Sequence, residues 1–438
     1  MKRFERFLLV PILCAFASAC LAQAAYDHPA AALPSLLEHP DVVALRDDPE
    51  GHTAKLRAQA ASNHYSGDEL MIMLYGLSIK GSGGGGGFID GFEILNRIDW
   101  KRGIDIYDIS TAADDKLYMV VGGLGAPSAL KENLDGLIKA IERTMAKLAE
   151  LKGMQVGGIL SVESGPVNSM LAILLSQSLN VPLIDVDGAG RSVPSLTNLT
   201  YAYESYPIAP VVAGSALNPS QDLIVAYPTD AADAENQLRD IAAQLGGLIG
   251  ISLWGQTGAE LKASSVIRDA FAEAYVLGVF TVLAAEDPNW LARYFQGTGN
   301  YIGSYAGQLT RFQIDSSGGF DKVYLDITQP TAVYTINAEN EDLLLQQVKP
   351  QPTTVVTAPH IIGYVVQDGS SFLPYNNGDV DMLKKAAAMK APIYAIAAQS
   401  SPRLYDFSQS FLDIIEQVFG YTGPVVPPYR PTEMAASD

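Results

Sequence analysis

Residues 81–88 read GSGGGGGF, with five glycines in succession, and this run decides whether the chain divides here. Such a composition is a flexible linker when it joins separate domains. Beside a helix terminus it is instead a loop whose bare backbone offers N–H groups to a ligand. The neighbours discriminate. Before the run, DELMIMLYGLSIK (68–80) is an apolar helical pattern with Ser66 placed as its N-cap, and after it FIDGFEILNRI (88–98) is a second, shorter one. DIYDIS and KLYMVVGGLG (116–125) then read as strands. Residues 129–152 read as an amphipathic helix, with Leu130, Leu134, Leu137, Ile138, Ile141, Met145 and Leu148 at three- and four-residue spacing. GGILSV, VNSMLAILLSQSLN and VPLIDV follow as strand, helix and strand. The alternation puts the glycine run inside a layered α/β domain, not between domains.

Working outward, the pattern changes past about Gly214. DLIVAYP is strand-like, AENQLRDIAAQL and SVIRDAFAEAYVLGVF are helical, and from Tyr301 short alternating segments such as VYLDI, TAVYTI, TTVVTAPHIIGYVVQD and PIYAIAA dominate. A barrel or sandwich is expected there. The expected fold class is thus α/β, a layered α/β sandwich followed by a β-rich, barrel-like domain. Residues 1–24 are an export signal, 25–65 an extension that wraps or links, 66–214 the α/β domain with the glycine loop, 215–430 the β-rich domain with helical segments, and 431–438 a tail.

The export reading rests on Lys2, Arg3 and Arg6 ahead of an apolar run from Phe7 to Ala19, followed by Ala22-Gln23-Ala24, an A-x-A cleavage pattern. It implies a periplasmic location with no transmembrane span after cleavage. Ala17-Ser18-Ala19-Cys20 also resembles a lipoprotein box, which would leave a lipid anchor at Cys20. The only two cysteines, Cys14 and Cys20, lie in this segment, so the folded chain has no disulfide and no thiolate nucleophile. A net charge of -19 over 438 residues, without any Lys/Arg run, argues against a nucleic-acid partner. G-x-S-x-G, H-E-x-x-H and Walker A patterns are absent.

Three stretches carry candidate chemistry. Gly84, Gly85 and Gly86 are ligand-facing in the loop reading. In VESGPVNSM, Glu163 and Asn168 follow a strand end, where ligands of open α/β sheets sit, or else serve as turn residue and helix cap. In PLIDVDGAGRSVPS, Asp185 and Asp187 face one side if the strand continues through them, with Arg191 to neutralise them or to hold a substrate carboxylate or carbonyl. A structural ion pair is the alternative.

Taken in order, GSGGGGG, GGLGAP (122–127), VESGPVN, DVDGAGRSVPS, NAENEDL (337–343) and FGYTGPVVPPY resemble the S-methyl thiohydantoin desulfurase-like family, first described as domain of unknown function 917. The resemblance spans roughly Ser66 to Tyr429. It implies an α/β sandwich, a barrel-like domain, and hydrolytic removal of sulfur from a five-membered cyclic thioureide. Three positions depart from the family's motifs: Pro166 stands for a glycine, Ser195 for a glutamate, and His360 for an acid. On this reading Asp187 or Glu163 is the general base with Asp185 and Asn168 orienting, the glycine N–H groups bind a ring carbonyl, and Arg191 and His360 complete the substrate site. The chemistry requires no cofactor. A divalent metal on Glu163, Asp185, Asp187 and His360 is a variant without metal-binding spacing behind it. The rival function is a non-catalytic exported protein that keeps the cleft for binding a small molecule or an envelope partner.

Overall fold

The structure is a computed structural model that describes residues 26–60, 64–125, 130–204, 206–315 and 321–431. The export signal, Cys20, the GGLGAP residues after Gly125 and the tail from 432 onward lie outside the described residues.

The segment expected as an extension is helical. α1 (Pro29–Leu37), α2 (Pro40–Asp47) and α3 (Pro49–Ala60) each begin on a proline. These prolines occupy first-turn positions, where a missing N–H costs nothing and the fixed φ already suits a helix. His28 and His39 cap α1 and α2 through their ring Nδ1 atoms, which accept from the N–H of Ala30 (3.2 Å) and Asp41 (3.3 Å). Ala32, Leu33, Leu36, Val42, Leu45 and Leu56 enter the main core.

After strand β1 (His64–Tyr65), α4 (Gly67–Lys80) starts with a capping box, as Ser66 predicts: its Oγ accepts from Glu69 N–H and its own N–H donates to Glu69 Oε2 at 2.7 Å. The glycine loop and α5 (Phe88–Leu95) follow. β2 (Ile104–Tyr107), β3 (Leu117–Gly125), α6 (Leu130–Lys152), β4 (Val156–Ser161), α7 (Pro166–Leu179) and β5 (Leu183–Ile184) complete the alternation. β6 (Val186–Asp187) leaves the main sheet, whereas β7 (Val211–Ser215), β8 (Ile224–Ala226) and, past α8 (Ala231–Gln244), β9 (Leu248–Thr257) return to it.

The first sheet has eight strands in the order β1-β2-β5-β4-β3-β9-β7-β8. β2, β5, β4 and β3 run parallel; the others are antiparallel to their neighbours. β3 is buried on both faces, which is why its sequence reads as a continuous apolar run. Leu117, Met119 and Val121 pack with Leu137, Ile141 and Leu148 of α6, while Tyr118 and Val120 share the opposite core with Leu238 and Ile241 of α8. The composition change expected at Gly214 does not coincide with the end of this sheet, because β9 inserts between β3 and β7.

α9 (Gly258–Ala263), β10 (Ile267–Arg268), which pairs with β6, α10 (Ala270–Ala284) and α11 (Asn289–Gly297) lead to the second sheet. Its strands are β11 (Tyr301–Asp315), β12 (Lys322–Thr328), β13 (Val333–Glu339), β14 (Glu341–Lys349), β15 (Thr353–Thr357), β16 (Ile361–Asp368), β17 (Ser371–Leu373) and, after α12 (Val380–Met389), β18 (Pro392–Ala398). All pair antiparallel in the order β15-β14-β13-β12-β11-β18-β16-β17, a curled half-barrel. α13 (Ser408–Phe419) lies beyond it.

α4 and α10 are apolar all round because both are buried against each other and the core. Their contact is backbone to backbone. A Cβ on Gly76 would lie 1.9 Å from Ala274 O, and one on Gly278 would lie 2.0 Å from Ile72 O. Gly76→Ala is expected to force the helices apart and cost about 3 kcal/mol, read as a lower urea midpoint; an unchanged midpoint would contradict this packing.

Candidate active site

The glycine run closes α4 onto both sheets. Ser82 and Gly83, Gly85 and Gly86 all have positive φ (48°, 79°, 68° and 90°). Three of these four positions are glycine, the residue that adopts that region without strain. The missing side chains matter as much as the dihedrals. A Cβ on Gly84 would lie 2.2 Å from Glu341 Oε1, one on Gly85 2.2 Å from Ser192 Oγ, and one on Gly86 2.2 Å from a methyl of Val167.

The loop is pinned on several sides. Ser82 O accepts from Asp342 N–H (2.6 Å), Gly83 O from Asn377 N–H (2.8 Å), Gly85 O from Val167 N–H (2.9 Å), and Gly84 O from Asn376 Nδ2 (2.8 Å). Ser82 Oγ bonds the Ile362 backbone. It is thus a fixed junction between the α/β layers and the half-barrel, not a linker. Of the N–H groups of Gly84, Gly85 and Gly86, two are already used: Gly84 donates to Gly81 O (2.9 Å) and Gly85 to Glu341 Oε1 (3.4 Å).

Beside this junction lies a cleft of about 150 Å³. One wall comes from the α/β unit: Gly83 to Gly86, Gly123 to Gly125 at the end of β3, Val162, Glu163, Val167 and Asn168 after β4, and Val193 to Leu196. The other wall, Asp321, Asn340, Glu341, Asn377 and Gly378, comes from the half-barrel. The site therefore stands outside the carboxyl ends of parallel strands, where α/β sheets present their loops.

Glu163, at this cleft, is held by two donors. Its Oε1 accepts from Asn168 Nδ2 (2.9 Å) and its Oε2 from Val193 N–H (2.8 Å), while Asn168 Oδ1 accepts from Gly123 N–H (3.3 Å). Asn168 is thus no helix cap; it orients the carboxylate. Burial pushes the Glu163 carboxyl up to about 7, against the lowering effect of these two donors. Glu341, which the sequence reading did not single out, sits across the glycine loop. Its Oε2 is buried and has no hydrogen-bond partner among the described residues. Burial first, and then the nearby Glu163 charge, hold the Glu341 carboxyl well above the usual range. Two acids with one predisposed to ionise before the other is the arrangement of an acid–base pair.

Asp185 and Asp187 do not share a side. The strand breaks between them, β5 staying in the main sheet and β6 turning to β10. Asp185 caps α10, its oxygens accepting from Phe271 N–H (2.7 Å) and Ala272 N–H (3.3 Å). Asp187 accepts from Ser164 Oγ, Ala189 N–H (3.0 Å) and Gly190 N–H (2.7 Å), and so ties the Gly-rich turn. Neither lines the cleft. Arg191 is fully buried and directs its fork at backbone carbonyls: Ser192 O (2.8 Å), Pro359 O (3.1 Å), His360 O and Asp342 O (3.2 Å). It welds the two sheets, committing four of its five N–H groups to these carbonyls, and it does not line the cleft.

His360 also stands away from the cleft. Its Nε2 contacts Pro427 O and its Nδ1 the Tyr405 hydroxyl, each at 2.7 Å, and burial pulls its pKa down to about 4. A neutral ring satisfies both contacts, with Nε2 donating and the Tyr405 hydroxyl donating to Nδ1. Pro166 is the first residue of α7, a position that favours proline. Ser195 lines the cleft and caps the short 3-10 helix at 196–198, so of the three departures from the family's motifs only this one changes the cleft wall. Among the described residues no group of three or more His, Cys, Asp or Glu is placed to hold a metal ion.

The buried acids make stability fall as pH rises. Burial pushes Glu163 and Asp185 to about 7 and Asp342 to about 8. The folded chain keeps protons that the unfolded chain releases near pH 4. The associated stability is complete below the unfolded pKa and is lost as pH climbs through the folded one, by about 1.4 kcal/mol per pH unit and group. His360, held neutral, acts oppositely only below about 6.5, its unfolded value. Urea midpoints are therefore expected to drop from about pH 6.5 to about pH 8; a rise across this window would contradict the burial of these acids.

Residues 68–220 match the N-terminal domain, and residues 229–396 the C-terminal domain, of S-Me-THD-like proteins. The chain belongs to the S-Me-THD-like family. These two stretches contain the glycine loop, Glu163 and Asn168 on one side and Asp321 and Glu341 on the other, so both walls of the cleft fall within the family's domains. No curated protein matches the chain. A crystal structure of a protein from Chromobacterium violaceum is similar in fold, with 24% identity and a TM-score of 0.67, covering 84% of this chain and all of its own. Among the described residues no helix is long and apolar enough to cross a membrane.

Proposed function

We propose that this family member hydrolyses a small cyclic ureide or thioureide of the S-methyl thiohydantoin or hydantoin type. The observation that carries the reading is the pair Glu163 and Glu341, two buried carboxyls on opposite walls of one small cleft. Family membership supports the substrate class.

Glu163, held by Asn168 and Val193, takes the proton of a water as its oxygen bonds to the ring carbon that bears sulfur. The electrons of the ring C=N bond move to nitrogen, which takes the Glu341 proton. Collapse forms the carbonyl, breaks C–S, passes the Glu163 proton to the departing thiolate and returns the hydroxyl proton to Glu341. Water enters, and ring carbonyl and methanethiol leave with both carboxyls restored. The N–H of Gly86 has no partner among the described residues and is the donor we assign to a ring carbonyl. Asp187, tied into its turn, has no part in this scheme.

The test is incubation of the purified chain with an S-methyl thiohydantoin in ¹⁸O-labelled water. Thiol release with label in the ring carbonyl is expected. Binding without product would instead make the cleft a receptor site.

A further inference from the structure

Four carboxylates line the cleft, Glu163, Glu235, Asp321 and Glu341, and the described lining contains no Lys, Arg or His. Glu235 is already satisfied, by Leu196 N–H (3.0 Å) and Arg239 (2.9 Å). Arg191 does not line the cleft, and four of its N–H groups go to backbone carbonyls. Asp321 differs from all of these. It is 3% exposed, and its Oδ1 has no hydrogen-bond partner among the described residues. Its position is fixed, because its N–H donates to Asn340 Oδ1 (3.0 Å) and its carbonyl accepts from Asn340 N–H (2.8 Å). Asn340 is the left-handed residue (φ 58°) that joins β13 to Glu341. An orphaned buried carboxylate oxygen costs stability unless a donor arrives. The facing wall is apolar, with Leu124, Leu137, Val162, Leu196, Leu199 and Leu248.

We propose that Asp321 selects the ring substituent, and that the preferred ligand carries an aliphatic arm ending in an ammonium or guanidinium group. The arm's methylenes lie along the leucine and valine wall, and its cationic head reaches Asp321. An arm ending in carboxylate meets four acids and, in the described lining, no Lys, Arg or His. The inference rests on the cleft reading above but not on turnover.

Calorimetric titration of the chain with hydantoins bearing a 4-aminobutyl, a butyl or a carboxyethyl arm tests it. The aminobutyl compound is expected to bind at least about tenfold more tightly than the butyl one, the scale of one charge-assisted hydrogen bond, and the carboxyethyl compound most weakly. Asp321→Asn should bring the aminobutyl and butyl affinities to within about twofold, and Asp321→Glu should restore part of the difference. Equal affinities for all three arms in the wild-type chain would overturn the proposal, whatever the variants do. So would undiminished preference in a folded Asp321→Asn chain. Preference for the cationic arm without thiol release from the matching S-methyl thiohydantoins would uphold it while overturning the hydrolase reading. Turnover of all three arms with equal KM would do the reverse.

Discussion

Glu163→Gln is expected to lower kcat for thiol release by about 10²–10⁴-fold while the chain still folds and binds the ring. Glutamine keeps the length and one acceptor oxygen, but it accepts no proton from water. None of Asp185, Asp187 and Glu341 replaces it. Asp187 is bound by three donors in its turn, Asp185 caps a helix, and Glu341 is held protonated by burial and by Glu163 itself. The companion substitution Asp187→Asn should act through the turn, lowering the urea midpoint more than it lowers kcat. A Glu163→Gln chain with wild-type kcat would remove the pair from the mechanism.

Arg191→Met is expected to cost about 3–5 kcal/mol. Four buried carbonyl oxygens, of Ser192, Asp342, Pro359 and His360, lose their donor at once. Two of these elements belong to the half-barrel side and one to the turn after β6, so the loss loosens the seam that also forms the cleft. Lysine does not replace the fork, because a single ammonium cannot serve carbonyls spread around a planar guanidinium. Arg191→Lys should therefore recover little of the urea midpoint. The site would feel the change as well, since the Arg191 charge lowers the pKa of Glu163 and of Glu341. A midpoint within about 1 kcal/mol of wild type would contradict the role of seam.

Local signals in the chain carry much of this architecture. Ser66 announces the start of α4, a Val- and Tyr-containing apolar run ending in glycine gives β3, a period-3.6 pattern gives α6, and the glycine run is legible as a loop because helices flank it closely. Glu163 and Asn168 are readable for the same reason: a strand end followed by a helix is a place where ligands bind. The opposite wall is not. Asp321 and Glu341 stand at strand starts of the half-barrel, and nothing in their own neighbourhood says that curling brings them against the loop at 83–86.

The reading of Asp185 and Asp187 as one pair fails on a single assumption, that one strand passes through both. Arg191 shows a different limit. Its residue type is compatible with anion binding or with carbonyl binding, and only the folded positions of residues 342, 359 and 360 decide between them. The segment 25–65, expected as an extension that wraps or links, instead holds three helices that start on prolines 29, 40 and 49.

The most direct measurement is kcat/KM for thiol release from an S-methyl thiohydantoin between about pH 5 and about pH 9. With Glu163 pushed up to about 7 and required as carboxylate, the acid side of the profile should rise with unit slope and level near neutrality. Loss of the Glu341 proton should bring the rate down again at higher pH. A profile flat from about pH 5 to about pH 8 would show that no carboxyl with a raised pKa controls the reaction and would contradict the account.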